Sequence, residues 1–170
     1  MTDRSYSALF ICTGNSARSI MAEAILNHLG RGRFGAYSAG TVPRGAVHPM
    51  TLDVLTENYS VENLRSKSWA EFATPDAIPM DFIFTVCNQA AGETCPAWPG
   101  QPITAHWVFV DPVSVMGDYA KQRRAFVLAQ HQIATRIRLL LSLPLDKLDR
   151  LSLKTQLRRL GQSSMVTTPR

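Results

Sequence analysis

The sequence predicts an α/β domain built on a four-stranded parallel sheet flanked by helices on both faces. Three observations lead there. Apolar runs rich in strand formers alternate along the chain with stretches of helical spacing, the pattern of βαβ units. One such run, "DFIFTVC" (Asp81 to Cys87), is continuously apolar, as suits a strand buried on both faces of a parallel sheet. The chain's 170 residues, 45% of them apolar, are enough for one sizeable core, and they show no internal repeat and no inter-domain linker.

Each element has its own signal. Tyr6 to Ile11 is a short run of strand formers, and Ser19 to Leu29 follows with helical spacing at Ile20, Ala24 and Leu26. Gly30 and Gly32 stop that helix. "FGAYSAG" (Phe34 to Gly40) reads as a second strand ending in a glycine turn. Pro49 sits where a helix begins, ahead of Leu52, Val54 and Leu55. Asp81 to Cys87 is the third strand. Residues 88–102 are too rich in glycine and proline for regular structure. "HWVFVDP" (His106 to Pro112) is the expected fourth strand. Lys121 to Ser142 is a long amphipathic helix with Phe126, Ala129, Ile133, Ile137 and Leu140 on one stripe, and Pro144 ends it. Leu148 to Leu160 predicts one more helix, and the last ten residues read as a disordered tail. Residues 1–143 are therefore expected to form the catalytic domain and 144–170 a C-terminal helical extension with that tail.

Composition removes several classes. The longest apolar stretch, Leu139 to Leu145, is broken by Ser142 and Pro144 and is too short to span a bilayer. The N-terminus lacks a signal-peptide layout. Three cysteines, an odd number, fit a reducing compartment better than a secreted disulfide scaffold. A cytoplasmic location is expected. The net charge of +5 is concentrated beyond Lys121. Only Tyr119 and Phe126 accompany that basic segment, so it reads as a solvated helical face rather than a nucleic-acid groove. Neither nucleic acid nor a membrane is expected as a partner.

In an open parallel sheet, ligands bind beyond the carboxyl ends of the strands, and right-handed crossovers bring those ends to one edge. Cys12 lies just after the first strand, Cys87 closes the third and Asp111 ends the fourth, so three chemically capable side chains should share that edge. Thr13, Gly14, Asn15, Ser16 and Ala17 can wrap with their N–H groups inward, a nest for an anion at the start of a helix. Arg18 adds a planar fork suited to two oxygens of a tetrahedral oxyanion. The same positive field favours the thiolate of Cys12. Ser19 can donate a hydrogen bond to that sulfur, and Asn15 tolerates left-handed backbone. A nucleophile and an anion clamp thus face each other across one bound ion.

Other residues carry blander readings. His106 should pack with Trp107 at a strand end, and Trp98 and Trp107 should cover the edge of the pocket. His28, His48 and His131 have no motif around them and read as surface or helix-face residues. A zinc site from Cys87, Cys95 and His106 lacks both a familiar spacing and a fourth ligand, so no metal site is expected. Asp111 before Pro112 suits either a proton donor or the start of a turn.

"CTGNSARS" followed by "MAEA", then "YSAG" and a late Asp-Pro, resembles the low-molecular-weight protein tyrosine phosphatase family from about Ala8 to Leu143. "LRSKSWAEF" (Leu64 to Phe72), "TVCNQAAGETCPAWPG" and "HWVFVDP" are similar to its arsenate reductase branch, which uses a cysteine relay, commonly with thioredoxin as reductant. The resemblance implies that Cys12 attacks arsenate, held by Arg18 and the loop amides, while Asp111 protonates the departing water. It implies next that Cys87 attacks the arsenic-bearing sulfur of Cys12 and that Cys95 then attacks Cys87. It implies no bound cofactor, only an external thiol reductant, either thioredoxin or glutathione with glutaredoxin. Many relatives carry a second cysteine where this chain has Ala17, which leaves Cys87 as the resolving thiol. Val113 follows Asp-Pro in place of the aromatic residues that phosphatases of this fold often set beside a phosphotyrosine ring. A disulfide needs Cα atoms within about 7 Å, so Cys87 must move between its two partners, and residues 88–102 are the expected carrier. A phosphomonoesterase using Cys12, Arg18 and Asp111 is the alternative activity. A non-catalytic oxyanion sensor is the reading from another class.

Overall fold

The computed structural model describes residues 5–86, 98 and 100–162. Its regular elements are β1 (Tyr6–Cys12), α1 (Arg18–Leu29), β2 (Phe34–Gly40), α2 (Pro49–Thr56), β3 (Phe82–Thr85), β4 (Ile103–His106), α3 (Tyr119–Leu141) and α4 (Arg150–Gln162), with single turns of 3₁₀ helix between some of them. The four strands form one parallel sheet in the order β2-β1-β3-β4. The chain leaves β1 toward one side for β2 and returns on the other for β3. Strand order therefore reverses at β1, and the carboxyl end of β1, where Cys12 sits, is the crevice that such sheets offer to ligands.

β1 is buried almost throughout, with Ala8, Leu9, Phe10 and Ile11 fully enclosed, as a central parallel strand requires. α1 packs on β1, β2 and α3. The α3 stripe of Phe126, Ala129, Ile133, Ile137 and Leu140 is buried as its spacing predicts. Asp118 caps α3 by accepting the Lys121 N–H, and Pro49 opens α2 as the sequence predicts. Phe10, Phe84 and Trp107 form a ring stack, with centroids 5.2 Å apart for the first pair and 4.1 Å for Phe84 and Trp107.

The fourth strand lies elsewhere than expected. β4 is Ile103–His106, and the segment 107–110 that was read as strand is extended but outside the ladder. The signal was real, since Trp107 and Phe109 are buried while Val108 and Val110 are exposed, a period-two alternation. The neighbouring strand simply runs out. β4 pairs Ile103 to His106 with Phe82 to Thr85, and beyond that, among the described residues, Trp107 N–H to Thr85 O and a long Phe109 N–H to Val86 O contact reach the β3 segment. The true strand, "ITAH", was concealed by its polar outward residues and the preceding Gly/Pro run.

α4 lies against β4 and touches α3. Leu153 and Leu157 are buried, and the Leu157 carbonyl accepts the indole N–H of Trp107 at 2.9 Å. Gly161 sits so close to β4 that a Cβ there would stand 2.3 Å from the His106 carbonyl oxygen. The C-terminal helix thus satisfies a buried donor of the core. Among the described residues no helix is long and apolar enough to cross a membrane. Leu157→Ala removes a fully buried side chain from this contact and is expected to cost about 3 kcal/mol, read as a lower midpoint in urea with an unchanged slope.

Candidate active site

The loop between β1 and α1 is shaped by what holds its carbonyls. Thr41 N–H donates to the Cys12 carbonyl at 3.1 Å, Val42 N–H to Thr13 at 2.9 Å, Arg44 N–H to Gly14 at 2.9 Å and His48 N–H to Ser16 at 3.0 Å. The Thr51 hydroxyl adds a second bond to the Ser16 carbonyl at 2.9 Å. In a trans peptide the C=O and the following N–H point opposite ways. Carbonyls of residues 12, 13, 14 and 16 tied to the outer segment therefore turn the N–H groups of Thr13, Gly14, Asn15 and Ala17 toward the hollow. Asn15 N–H points at Cys12 Sγ from 3.2 Å. Asn15 carries the left-handed backbone expected of it, with φ of 49°. The loop also needs Gly40, paired with Cys12 across the β1–β2 ladder, because a Cβ there would lie 2.5 Å from the Thr13 carbonyl oxygen.

The hollow is a small cavity of about 180 Å³ lined by residues 12–18 together with Val42, Arg44, Asp111 and Val113. Cys12 is buried at its floor as a free thiol, and Ser19 Oγ lies 2.9 Å from its sulfur. Arg18 is aimed by two partners: one nitrogen donates to the Phe109 carbonyl at 3.2 Å and the other stands 3.5 Å from Asp111 Oδ2. Asp111 starts a turn, one of the two readings its sequence context offered. Its Oδ1 accepts the Val113 N–H at 3.0 Å and caps a 3₁₀ turn, while Oδ2 faces Arg18 and the cavity. It lies five positions past the end of β4 rather than at it. Cys87 and Cys95 lie outside the described residues. The last described residue before Cys87 is Val86, whose N–H donates to the Ile11 carbonyl at 2.8 Å, next to Cys12.

Beneath the loop runs a polar cluster that sequence reasoning missed. Asn15 Nδ2 donates to Ser19 Oγ at 2.8 Å and to Ser38 Oγ at 3.1 Å, and Asn15 Oδ1 accepts the Lys67 N–H at 2.8 Å. Ser38 donates to Glu23 at 2.5 Å, and Lys67 Nζ stands 3.5 Å from the same carboxylate. Burial pushes the Glu23 carboxyl above the ordinary glutamate range despite the attraction of Lys67, and burial likewise lowers Lys67 despite Glu23. The available signal was weak: Glu23 sits inside "MAEA" and Lys67 inside "LRSKSW", where each reads as a surface charge. Arg44 was also missed. It lies over Gly14, its Nε 2.9 Å from where a Cβ would be, and adds a second guanidinium to the cavity's rim.

Three expectations need correction. Trp107 is fully buried in the ring stack below α4 and does not cover the pocket. Trp98 packs edge-on to Trp69 and lines a separate hollow along β3 and β4. His48 is not a bystander on the surface, since its Nδ1 accepts the Met50 N–H and caps α2 while its ring rests on Phe126. His106 is bonded to Thr85 Oγ1 at 2.7 Å within the sheet, and His28 and His131 are exposed as expected.

Gly40→Ala should spoil the cavity by pushing Thr13 and Asn15 inward, while β2 stays paired. Inorganic phosphate binding, followed by calorimetric titration, is expected to weaken by at least about tenfold, equivalent to roughly 1.4 kcal/mol.

A model of the low molecular weight phosphotyrosine protein phosphatase family matches residues 7–125. The arsenate reductase of Shouchella clausii is 32% identical over 130 residues, covering 76% of this chain and 90% of that relative. The arsenate reductase of Bacillus licheniformis is also 32% identical, over 131 residues and the same shares. Among solved structures, a thioredoxin-dependent arsenate reductase of Corynebacterium glutamicum aligns with a TM-score of 0.55 at 24% identity; the match covers 82% of this chain, and this chain spans 65% of that one. An arsenate reductase in the phosphate binding state aligns with a TM-score of 0.62 at 24% identity, covering 81% of this chain and 97% of that one. The matched span takes in the loop at the reversal point of the sheet, and the chain belongs to the low molecular weight phosphotyrosine protein phosphatase family, with similarity to arsenate reductases over most of its length.

Proposed function

We propose that this protein reduces arsenate to arsenite. The observation that carries the reading is the joint one at Cys12: a buried thiol ringed by inward amides, with an arginine and a carboxylate facing it, in a chain akin to arsenate reductases over 90% of their length. A cavity of about 180 Å³ walled by Val42 and Val113 and flanked by Arg18 and Arg44 suits a free tetrahedral oxyanion.

The chemistry then follows in balanced steps. The Cys12 thiolate attacks arsenic, and an arsenate oxygen leaves as water after taking a proton from Asp111. Arg18 and the loop amides neutralise the charge on the remaining oxygens. The Cys87 thiolate next attacks Cys12 Sγ. A sulfur–sulfur bond forms, the sulfur–arsenic bond breaks, and its electron pair stays on arsenic, which departs as arsenite. Cys87 follows Val86 directly, and Val86 is bonded to Ile11 beside Cys12, so the chain leaves β3 near the thiol it would attack. Cys95 then attacks Cys87, returns Cys12 to the thiolate and leaves a Cys87–Cys95 disulfide. An external dithiol closes the cycle by exchange. Thioredoxin is the expected donor, as in the Corynebacterium glutamicum neighbour, with glutathione and glutaredoxin as the other candidate pair.

The same loop can begin hydrolysis of a phosphate ester, since phosphorus bound to sulfur is released by water without a second thiol. Cys87→Ser separates the two activities. It is expected to abolish arsenite release with thioredoxin as donor and to leave hydrolysis of an aryl phosphate within about threefold of the wild type. Loss of both activities together, or survival of arsenite release, would count against the relay. Arg18→Lys, which keeps the charge but loses the fork, should lower kcat/KM for arsenate by about a hundredfold, roughly 2.7 kcal/mol.

A further inference from the structure

We propose that Lys67 is a positioning residue for the Cys12 thiolate: its ammonium holds Glu23 as a carboxylate, and that carboxylate orients the hydrogen bonds through Ser38, Asn15 and Ser19 so that the Ser19 proton points at the sulfur. The inference rests on Cys12 being the nucleophile of the proposed reaction.

The direction of every bond in the chain is fixed by what each group can do. An ionised carboxylate only accepts, so Ser38 must donate to Glu23. The Ser38 oxygen is then left to accept, from Asn15 Nδ2 at 3.1 Å and Lys67 Nζ at 3.4 Å. Asn15 cannot turn over, because its Oδ1 is held by the Lys67 backbone N–H. Its second amide proton goes to Ser19 Oγ at 2.8 Å. Ser19 accepts there and keeps its own proton for Cys12 Sγ at 2.9 Å. A donor aimed at sulfur favours thiolate over thiol.

The arrangement is vulnerable at its far end. The Glu23 side chain is 13% exposed and that of Lys67 6%, and a carboxyl so enclosed takes up a proton readily unless a cation stands beside it. A protonated Glu23 carries a donor beside its remaining acceptor, so Ser38 is no longer obliged to donate to it. The Ser38 proton is then free to swing against the Asn15 amide group that donates to it, and the run to the sulfur is no longer ordered from that end. Lys67 is the cation within 4 Å of Glu23 among the described residues. The other charges facing the pair are more exposed. Arg65 disfavours the Lys67 charge and is itself bonded to Glu71, and His28, Arg31 and Glu62 surround the shallow hollow over Glu23. Solvent and salt screen these.

The test uses the full chain with Cys87→Ser and Cys95→Ser, which leaves Cys12 as its one thiol, and follows iodoacetamide alkylation against pH. Adding Lys67→Met is expected to raise the pH of half-maximal rate by about one unit, with the limiting rate at high pH preserved, so that alkylation at pH 6 slows roughly tenfold. Adding Glu23→Gln to Lys67→Met should restore the midpoint, because the glutamine carbonyl accepts from Ser38 with no charge to compensate. An unmoved midpoint in Lys67→Met, or no recovery in the double variant, overturns the proposal. Should Lys67→Met not fold, Ser38→Ala cuts the same chain one step closer to the sulfur. The same upward shift is expected there, and its absence is equally fatal. The assay contains no arsenate, so failure of arsenate reduction would sink the proposed reaction and leave this result standing.

Discussion

The tethering of the loop carbonyls to the segment 41–51 is the constraint from which the site derives. A ring of amide groups can welcome an anion only if its carbonyl oxygens face elsewhere, and carbonyls facing elsewhere need donors there. Thr41, Val42, Arg44 and His48 supply backbone N–H groups, and Thr51 adds a hydroxyl. An unpaired buried peptide group would cost about 1–3 kcal/mol, so the loop is held open by bonds that have nothing to do with the ligand. Preorganisation of this kind means that the dipoles do not have to reorient when charge develops. Gly40 serves the same end, since the loop can lie on β2 only where β2 has no side chain.

Two ion pairs bracket Cys12 and differ in kind. Arg18 and Asp111 meet at the mouth with side chains 15% and 33% exposed, at 3.5 Å. Such a pair is open to solvent, and its members are only loosely held to each other. Glu23 and Lys67 meet beneath the loop, where burial shifts both toward their neutral forms. A buried pair is seldom a net gain in stability. Its presence is better understood through the hydroxyls and amide it orients than through the attraction between its members.

What could be read from the sequence was what local chemistry decides. β1 and β2 announced themselves by composition, Pro49 by its fixed φ, and Asn15 and Ser19 by the conformations and bonds their side chains allow. The loop, its arginine and its serine are contiguous, so one short stretch carried most of the site. β4 was misplaced because the apolar alternation of Trp107 to Val110 obeys the strand period, while pairing depends on where β3 ends, which is a property of another segment. Glu23, Ser38 and Lys67 are distributed over α1, β2 and the stretch after α2. Nothing in their own neighbourhoods marks them as buried or joined. Arg44 and Trp107 were misjudged or passed over for the same reason: a side chain's surroundings are set by tertiary contacts that no window of sequence contains.

The brevity of β4 has a bearing on self-association. An outermost strand offers its unpaired amides and carbonyls to any other chain that can align with them, and long flat apolar margins are where sheets stick together. Here the margin is four residues long, its second and fourth positions are Thr104 and His106, and the chain then leaves the ladder at Trp107 with α4 lying alongside. The displacement that made this strand hard to find also leaves the β4 side of the sheet with little border to offer a second copy.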